Sequence, residues 1–520
     1  VTAEMEPALA ESWTIAPDKK RIVFTLRPDL RWSAGRPLTA ADVVFSYRDV
    51  YLNPAIPSSV QDILRIGETG AFPTVRQLYE RRVEFTVPEP FAPFLRFAGG
   101  IPILPAHALR PAVTTRGKDG QLAFLSTWGT DTPVDQIVGN GPYRMERYTP
   151  SQRVVFRRNP HYWQKDAAGR PMPLIERLVW QIIESTDTQL LRFRSGELDG
   201  LEVAGEAFPL LKREEKPGQF TIYNGGPQNV TTFLAFNQNR ARSAAGQPLV
   251  DPVKSRWFNT LEFRQAVAYA IDRERMRDTI FRGLGELQNS PLDRNGPYYL
   301  SPAEGLRVYD YRPEQAQALL KRAGFSYSLA GKLLDWDGNP VRFTLLTNVE
   351  RRNRPAMAAQ IKDDLARIGM QVDVQTMSFN PYVERIRRAR NFDCYLGGFG
   401  GGSIDPQGGF NIWSSRGGLH NFNLGPQRGE PPLQGWEVTP WEQRIDQLFI
   451  QGAQELDEAR RKAIYAEFQR VAQDNLPFIH LVNALDLEAV RNHIQGVRHS
   501  AIGGAFWNLP ELSVAEDMRP

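Results

Sequence analysis

Pro7-Ala8-Leu9-Ala10-Glu11-Ser12-Trp13, followed after a short strand by Trp32-Ser33-Ala34-Gly35-Arg36-Pro37-Leu38-Thr39-Ala40-Ala41-Asp42-Val43-Val44-Phe45-Ser46-Tyr47, is the stretch on which the reading of this chain turns. Between the two quoted pieces, Ile22, Phe24 and Leu26 alternate with polar residues and share one face of a strand. Thr39 stands where an N-cap belongs, and Asp42 follows three residues later, where its carboxylate can reach back to the cap. Val43, Val44, Tyr47 and Val50 then repeat at helical spacing. The block predicts a strand, a turn and a capped helix, in that order.

Working outward, the opening region is β-rich. Arg82-Val83-Glu84-Phe85-Thr86-Val87 repeats the alternation and ends at Pro88. The segment 110–135 has no clear period and reads as a loop; it leads into Val138-Gly139-Asn140-Gly141-Pro142-Tyr143, a Gly-flanked turn suited to a domain boundary. Arg153-Val154-Val155-Phe156-Arg157 is strand-like, and Asn159-Pro160-His161-Tyr162-Trp163 closes it. From about residue 255 helices alternate with strands. Pro313 opens a helix that Gly324 ends, and a β-α-β unit is expected from a strand at 341–347, a helix at 355–368 and a strand at 371–376. Such a unit implies parallel strands with a right-handed crossover. A last long helix is expected at 456–472.

With 520 residues the chain is long enough for roughly three domains. Hydrophobic residues form 41% and charged residues 23%, as in ordinary globular proteins. The formal net charge of +4 is too small for nucleic acid to be the expected partner. Two basic runs, Arg351-Arg352-Asn353-Arg354 and Arg385 to Arg390, read as solvated helix faces. Cys394 is the single cysteine, so no disulfide can form within the chain. No run of eighteen apolar residues occurs.

Templates for enzyme chemistry find little. There is no Gly-x-Ser-x-Gly elbow and no phosphate loop ending in Gly-Lys-Ser or Gly-Lys-Thr. None of the six histidines forms a His-x-x-x-His pair, so neither a metal nor a cofactor is expected. The segment Gly397 to Trp413 stands out instead. Its glycines let backbone groups approach a ligand, and it follows a strand, a common binding position. Gly402, Ser403, Asp405, Phe410, Asn411, Trp413 and His420 are candidate ligand residues from this region. The aromatics offer flat apolar faces and the polar groups offer hydrogen bonds; Asp405, before Pro406, is expected to order backbone more than to touch ligand. The bland alternative is a surface loop whose aromatics plug the core.

The opening block resembles family 5 extracytoplasmic substrate-binding proteins of ABC importers, which include peptide- and nickel-binding members. Gly139-Asn140-Gly141-Pro142-Tyr143 with Asn159-Pro160-His161-Tyr162-Trp163, and Phe263-Arg264-Gln265-Ala266-Val267-Ala268-Tyr269-Ala270-Ile271-Asp272-Arg273, are similar to two further blocks of that family in the same order. The resemblance implies a three-domain, periplasmic-binding-protein-like α/β fold with mixed sheets flanked by helices. Two lobes would close around a hinge on the ligand, beside an extra N-terminal domain. The expected divisions are 1–137 for the extra domain, 138–245 with 481–520 for lobe I, and 246–480 for lobe II.

It further implies a monomeric, non-enzymatic receptor outside the cytoplasmic membrane, periplasmic or at its extracellular face, that captures a small solute and delivers it to ABC permease subunits. Peptide is the expected ligand. From the shared lobe, Gln228 and Asn229 are candidate donors. Where peptide binders carry an ammonium-binding aspartate, alignment on Asp405-Pro406 puts Gly402, and the arginine some dipeptide binders use falls next to Arg354. These departures raise an oligosaccharide or other neutral solute stacked on Trp413, Phe410 or Trp507 as the alternative. A hydrolase of an oligomeric substrate is the alternative of another class; it needs two carboxylates converging about 5–10 Å apart. Family members carry some dozens of residues before the opening block, whereas six precede Pro7, so the N-terminal segment with its signal or lipoprotein cysteine is expected to be missing and the shared lobe to have an unpaired sheet edge.

Overall fold

The computed structural model describes residues 5–58, 60–67, 69–117, 120–351, 353–400, 404–427 and 429–515. They form two compact units, Val1–Gly226 with Asp486–Pro520, and Pro227–Leu485.

In the first unit, Ala10–Ile15, Arg21–Leu26, Arg82–Thr86 and Thr74–Tyr79 make an antiparallel sheet in that spatial order. The alternation read from the sequence holds, with Ile22, Phe24 and Leu26 buried and their neighbours more exposed. Ala40–Val44 starts on a complete capping box: the Asp42 carboxylate accepts from Thr39 N–H at 3.0 Å. A second antiparallel sheet joins Tyr143–Thr149, Arg153–Arg158 and Arg177–Gln181. The segment 110–135 contains more structure than its lack of period suggested. A helix, Ala106–Thr114, carries Pro111 inside it, and Leu109 and Val113 pack with Phe45 and Val50.

The second unit is built on five strands: β1 (Val230–Phe236), β2 (Arg342–Asn348), β3 (Gln371–Met377), β4 (Cys394–Gly400) and β5 (Ile479–His480). Their spatial order is β3-β2-β4-β1-β5. β2 runs parallel to both β3 and β4, while β1 is antiparallel to β4 and β5. Helix α1 (Leu261–Ala270) and helix α2 (Asn353–Ala366) cover one side, burying Phe263, Val267, Met357 and Ile361 against Phe236, Phe343 and Leu345. On the other, α3 (Pro440–Gln454) and α4 (Glu458–Asn475) bury Leu448, Phe449, Tyr465 and Phe468 in a second cluster with Phe233, Leu346 and Tyr395. Because β1 pairs with β4 and β5, the chain enters this unit after Gly226 and leaves after Leu485, where the sequence reading drew 245/246 and 480/481.

Trp413 belongs to that second cluster. It is 4% exposed, with its ring edge-on to Phe468 at 4.9 Å and Phe478 at 5.4 Å. Its expected role as a ligand platform is therefore corrected: the ring is packed within the core. Trp413→Ala should cost about 3–5 kcal/mol of stability in denaturant melts; a loss below about 1 kcal/mol would contradict this placement.

His480, on β5, is buried beside Arg273. Burial, then the Arg273 charge, push its imidazole down to about 3. The unfolded chain near 6.5 thus binds a proton that the folded chain refuses between pH 6.5 and 3. Stability is fully present above pH 6.5 and falls on acidification at about 1.4 kcal/mol per pH unit. His480→Gln should flatten that slope in urea midpoints measured from pH 6.5 to 5, and an unchanged slope would contradict the assignment.

Candidate functional site

Parallel β2, β3 and β4 all end at one edge of the sheet, where antiparallel β1 begins. That edge holds a cavity of about 500 Å³, lined entirely from the second unit. Crevices beyond the carboxyl ends of parallel strands are recurrent binding positions, because the connecting loops converge there while the sheet stays rigid.

Asn348, the last residue of β2, organises the polar side. It is buried, its amide nitrogen donates to Glu350 Oε2 at 2.7 Å, and its Oδ1 accepts from Arg354 Nη1. Glu350 Oε1 in turn accepts from the backbone N–H of Phe379 at 2.7 Å, which ties the β2–α2 turn to the segment after β3. The Asn348 hydrogen bond, followed by the backbone bonds, holds the Glu350 carboxyl below its ordinary value. Glu350 therefore stays an anion, and the Asn348 amide bridges it to Arg354.

Arg354 lies against β4 because β4 is glycine there. A Cβ on Gly398 would sit 2.7 Å from the Thr231 carbonyl and 3.2 Å from Arg354 Nη2. Gly397 likewise makes room for Tyr382, whose hydroxyl donates to the Leu396 carbonyl at 2.9 Å. Burial pushes the Arg354 guanidinium below its ordinary value, and among the described residues it has no carboxylate within 4 Å. The remaining wall is apolar and aromatic, from Phe233, Phe399, Tyr382 and Tyr395. At its inner end Asn421 donates to Tyr395 Oη at 3.4 Å, and Asn421 Oδ1 is buried without a partner.

Of the residues singled out from sequence, Arg354 and Gln228 line this cavity. Gln228 sits at the entry to β1, where its N–H donates to the Ala484 carbonyl at 2.8 Å; Asn229 beside it is half-buried and is not among the lining residues. Gly402 and Ser403 fall outside the described residues.

The rest of the glycine-rich segment folds inward. Asp405 is buried in a two-bond ion pair with Arg461, at 2.7 and 2.8 Å, and accepts from Gln407 N–H as the cap of a short turn. Phe410 packs against Phe449, and the Asn411 carbonyl accepts from Leu419 N–H. His420 is wholly buried, with Nε2 2.8 Å from Glu442 Oε1 and Nδ1 3.0 Å from the Ile412 carbonyl. As candidates for ligand contact, Asp405 and His420 are corrected together with Trp413, while the backbone-ordering role expected of Asp405 holds. Their polar groups are consumed by partners inside the fold. Trp507 lies in the first unit, with the Arg498 guanidinium over its ring.

The reading of both basic runs as solvated faces holds in part: Arg351, Arg387 and Arg388 are exposed, Arg354 is half-buried and Arg390 is buried, and Arg351, Arg354 and Arg387 line the cavity. The missed signal was spacing: Arg387 follows Val383 by four residues, so it shares a helical face with an apolar residue.

Residues 4–421 match the model for bacterial extracellular solute-binding proteins, family 5, middle region. A probable ABC transporter-binding protein of Deinococcus radiodurans is 28% identical over 95% of this chain and 82% of its own length. The di/tripeptide-binding protein 2 of Pseudomonas aeruginosa is 25% identical over 98% and 87%. The periplasmic binding protein MelB of Agrobacterium fabrum, solved with stachyose, superposes with a TM-score of 0.78 at 20% identity, over 98% of this chain and 77% of that one, a likeness of fold. The chain belongs to the family 5 bacterial extracellular solute-binding proteins.

Proposed function

We propose that this protein is the solute receptor of an ABC importer, that it binds a small peptide in the cavity at the strand ends of its second unit, and that Arg354 takes the peptide's terminal carboxylate. The observation that carries the reading is Arg354 itself. Its guanidinium is half-buried, fixed by Asn348, and faces a cavity of aromatic and polar residues with no carboxylate within 4 Å of it among the described residues. A charge held this way is costly unless a counter-charge arrives, and a bidentate carboxylate is the counter-charge an arginine fork fits.

Aromatic walls and main-chain edges suit peptide side chains and amides, and Asn421 Oδ1 offers an acceptor to a ligand N–H. The similarity to a di/tripeptide-binding protein supports the same ligand class. Glu350 is the carboxylate that lines the cavity among the described residues, where a hydrolase of the two-carboxylate kind would need a pair. In this reading the protein is a receptor rather than an enzyme, a monomer that works outside the cytoplasmic membrane and passes its ligand to permease subunits. No helix among the described residues is long and apolar enough to cross a membrane.

Titration of the protein with alanyl-alanine, trialanine and stachyose, followed by melting temperature, tests this. The peptides should raise the melting temperature saturably, because ligand binds the folded state alone, and Arg354→Ala should weaken them about 30-fold or more, the loss expected when one side of a desolvated charge pair is removed. Saturable stabilisation by stachyose with none by peptides would replace the peptide with an oligosaccharide.

A further inference from the structure

Among the described cavity residues, Arg387 is explained neither by the core nor by the arrangement around Arg354. The other described arginines of its run are committed. Arg385 donates to the Asn391 carbonyl and to Gln375, Arg388 pairs with Glu384 at 3.7 Å, and Arg390 pairs with Glu430 at 2.6 Å while donating to the Gly425 carbonyl. Arg387 has no carboxylate within 4 Å among the described residues, and its exposed side chain lines the cavity with Tyr382 and Tyr395. Burial lowers its guanidinium as it does that of Arg354. Both guanidiniums act electrostatically on the phenols of Tyr382 and Tyr395, so the two charges flank the same aromatic wall.

The charge balance of the lining follows. Arg351, Arg354 and Arg387 stand against one carboxylate, Glu350, which Asn348 and the Phe379 N–H already hold. A ligand with a single carboxylate neutralises Arg354 and leaves Arg387 unpaired. A ligand with two anionic groups satisfies both, and once ligand covers the cavity the second charge pair discriminates against ligands that lack the second anion. Asn421 Oδ1, buried and without a donor, adds a demand for an N–H on the same ligand.

Resting on the peptide reading above, we propose that the cavity selects short acidic peptides, with the terminal carboxylate on Arg354 and an acidic side chain on Arg387. Arg387 is then the residue that sets specificity within the class.

Calorimetric titration of the full chain with alanyl-glutamate, alanyl-alanine, alanyl-lysine and glutarate separates the possibilities. Alanyl-glutamate should bind about tenfold or more tightly than alanyl-alanine, and alanyl-lysine most weakly. Arg387→Ala should bring the ratio of the first two to within about twofold of one, while Arg387→Lys keeps most of the preference, which a merely destabilised fold would not restore. Equal affinity for alanyl-glutamate and alanyl-alanine, or a ratio unmoved by Arg387→Ala, overturns the role of Arg387 and leaves the peptide receptor standing. Tighter binding of glutarate than of alanyl-glutamate assigns the two anionic groups to a free dicarboxylate and overturns the acidic peptide. Failure of every dipeptide to bind overturns this proposal together with the reading on which it rests.

Discussion

Parallel pairing of β2 with β3 and β4 is the constraint from which the site follows. Strands that run the same way must end on the same edge, and the chain must leave each of them there. Asn348, Met377 and Gly400 thus mark three strand ends along one edge, and the segments that follow β2 and β3 are brought together there. The end of β2 and the start of α2 deliver Asn348, Glu350 and Arg354; the helical segment after β3 delivers Tyr382 and Arg387. The covering helices bury the faces of the sheet, and the first turn of α2 also brings Arg354 to the edge, which acts as a shelf.

Glycine at 397 and 398 turns that shelf into a cavity. A side chain at 398 would meet the Thr231 carbonyl of the neighbouring strand before it met the arginine, so the position is closed to larger residues by the sheet itself. What lies beyond β4 serves the shelf from behind. The Asp405–Arg461 pair, with Arg461 also donating to Tyr298 at 2.5 Å, pins the segment after β4 to α4. The His420–Glu442 pair pins the next stretch to the first turn of α3, where Glu442 also closes a capping box with Thr439. Buried pairs of this sort add little net stability as wholes, but breaking one side typically costs about 3–5 kcal/mol, so they fix geometry.

The architecture was legible wherever periodicity had few competing readings. The β-α-β unit fell within one or two residues of β2, α2 and β3, and the Thr39–Asp42 capping box formed as its spacing required. The segment 110–135 was opaque because Pro111 inside a helix argues against one. Of the site candidates, Arg354 and Gln228 line the cavity, while Trp413 and His420 were misplaced for a physical reason: glycine and aromatic residues in alternation describe a ligand pocket and a close-packed core equally well. Only the partners, Phe468, Phe478 and Glu442, decide between them, and these come from more than twenty residues away. Arg387 was hidden by its neighbours. A basic run looks uniformly solvated until each member's partner is known.

Hydrogen–deuterium exchange with and without a saturating dipeptide tests the central claim, that ligand is held at this strand edge. Protection should concentrate on 348–354, 379–387 and 397–400, with little change at 405–413 and 420–423, which the core already shields. Protection confined to 405–423, with exchange at 348–354 and 379–387 unaltered, would contradict it.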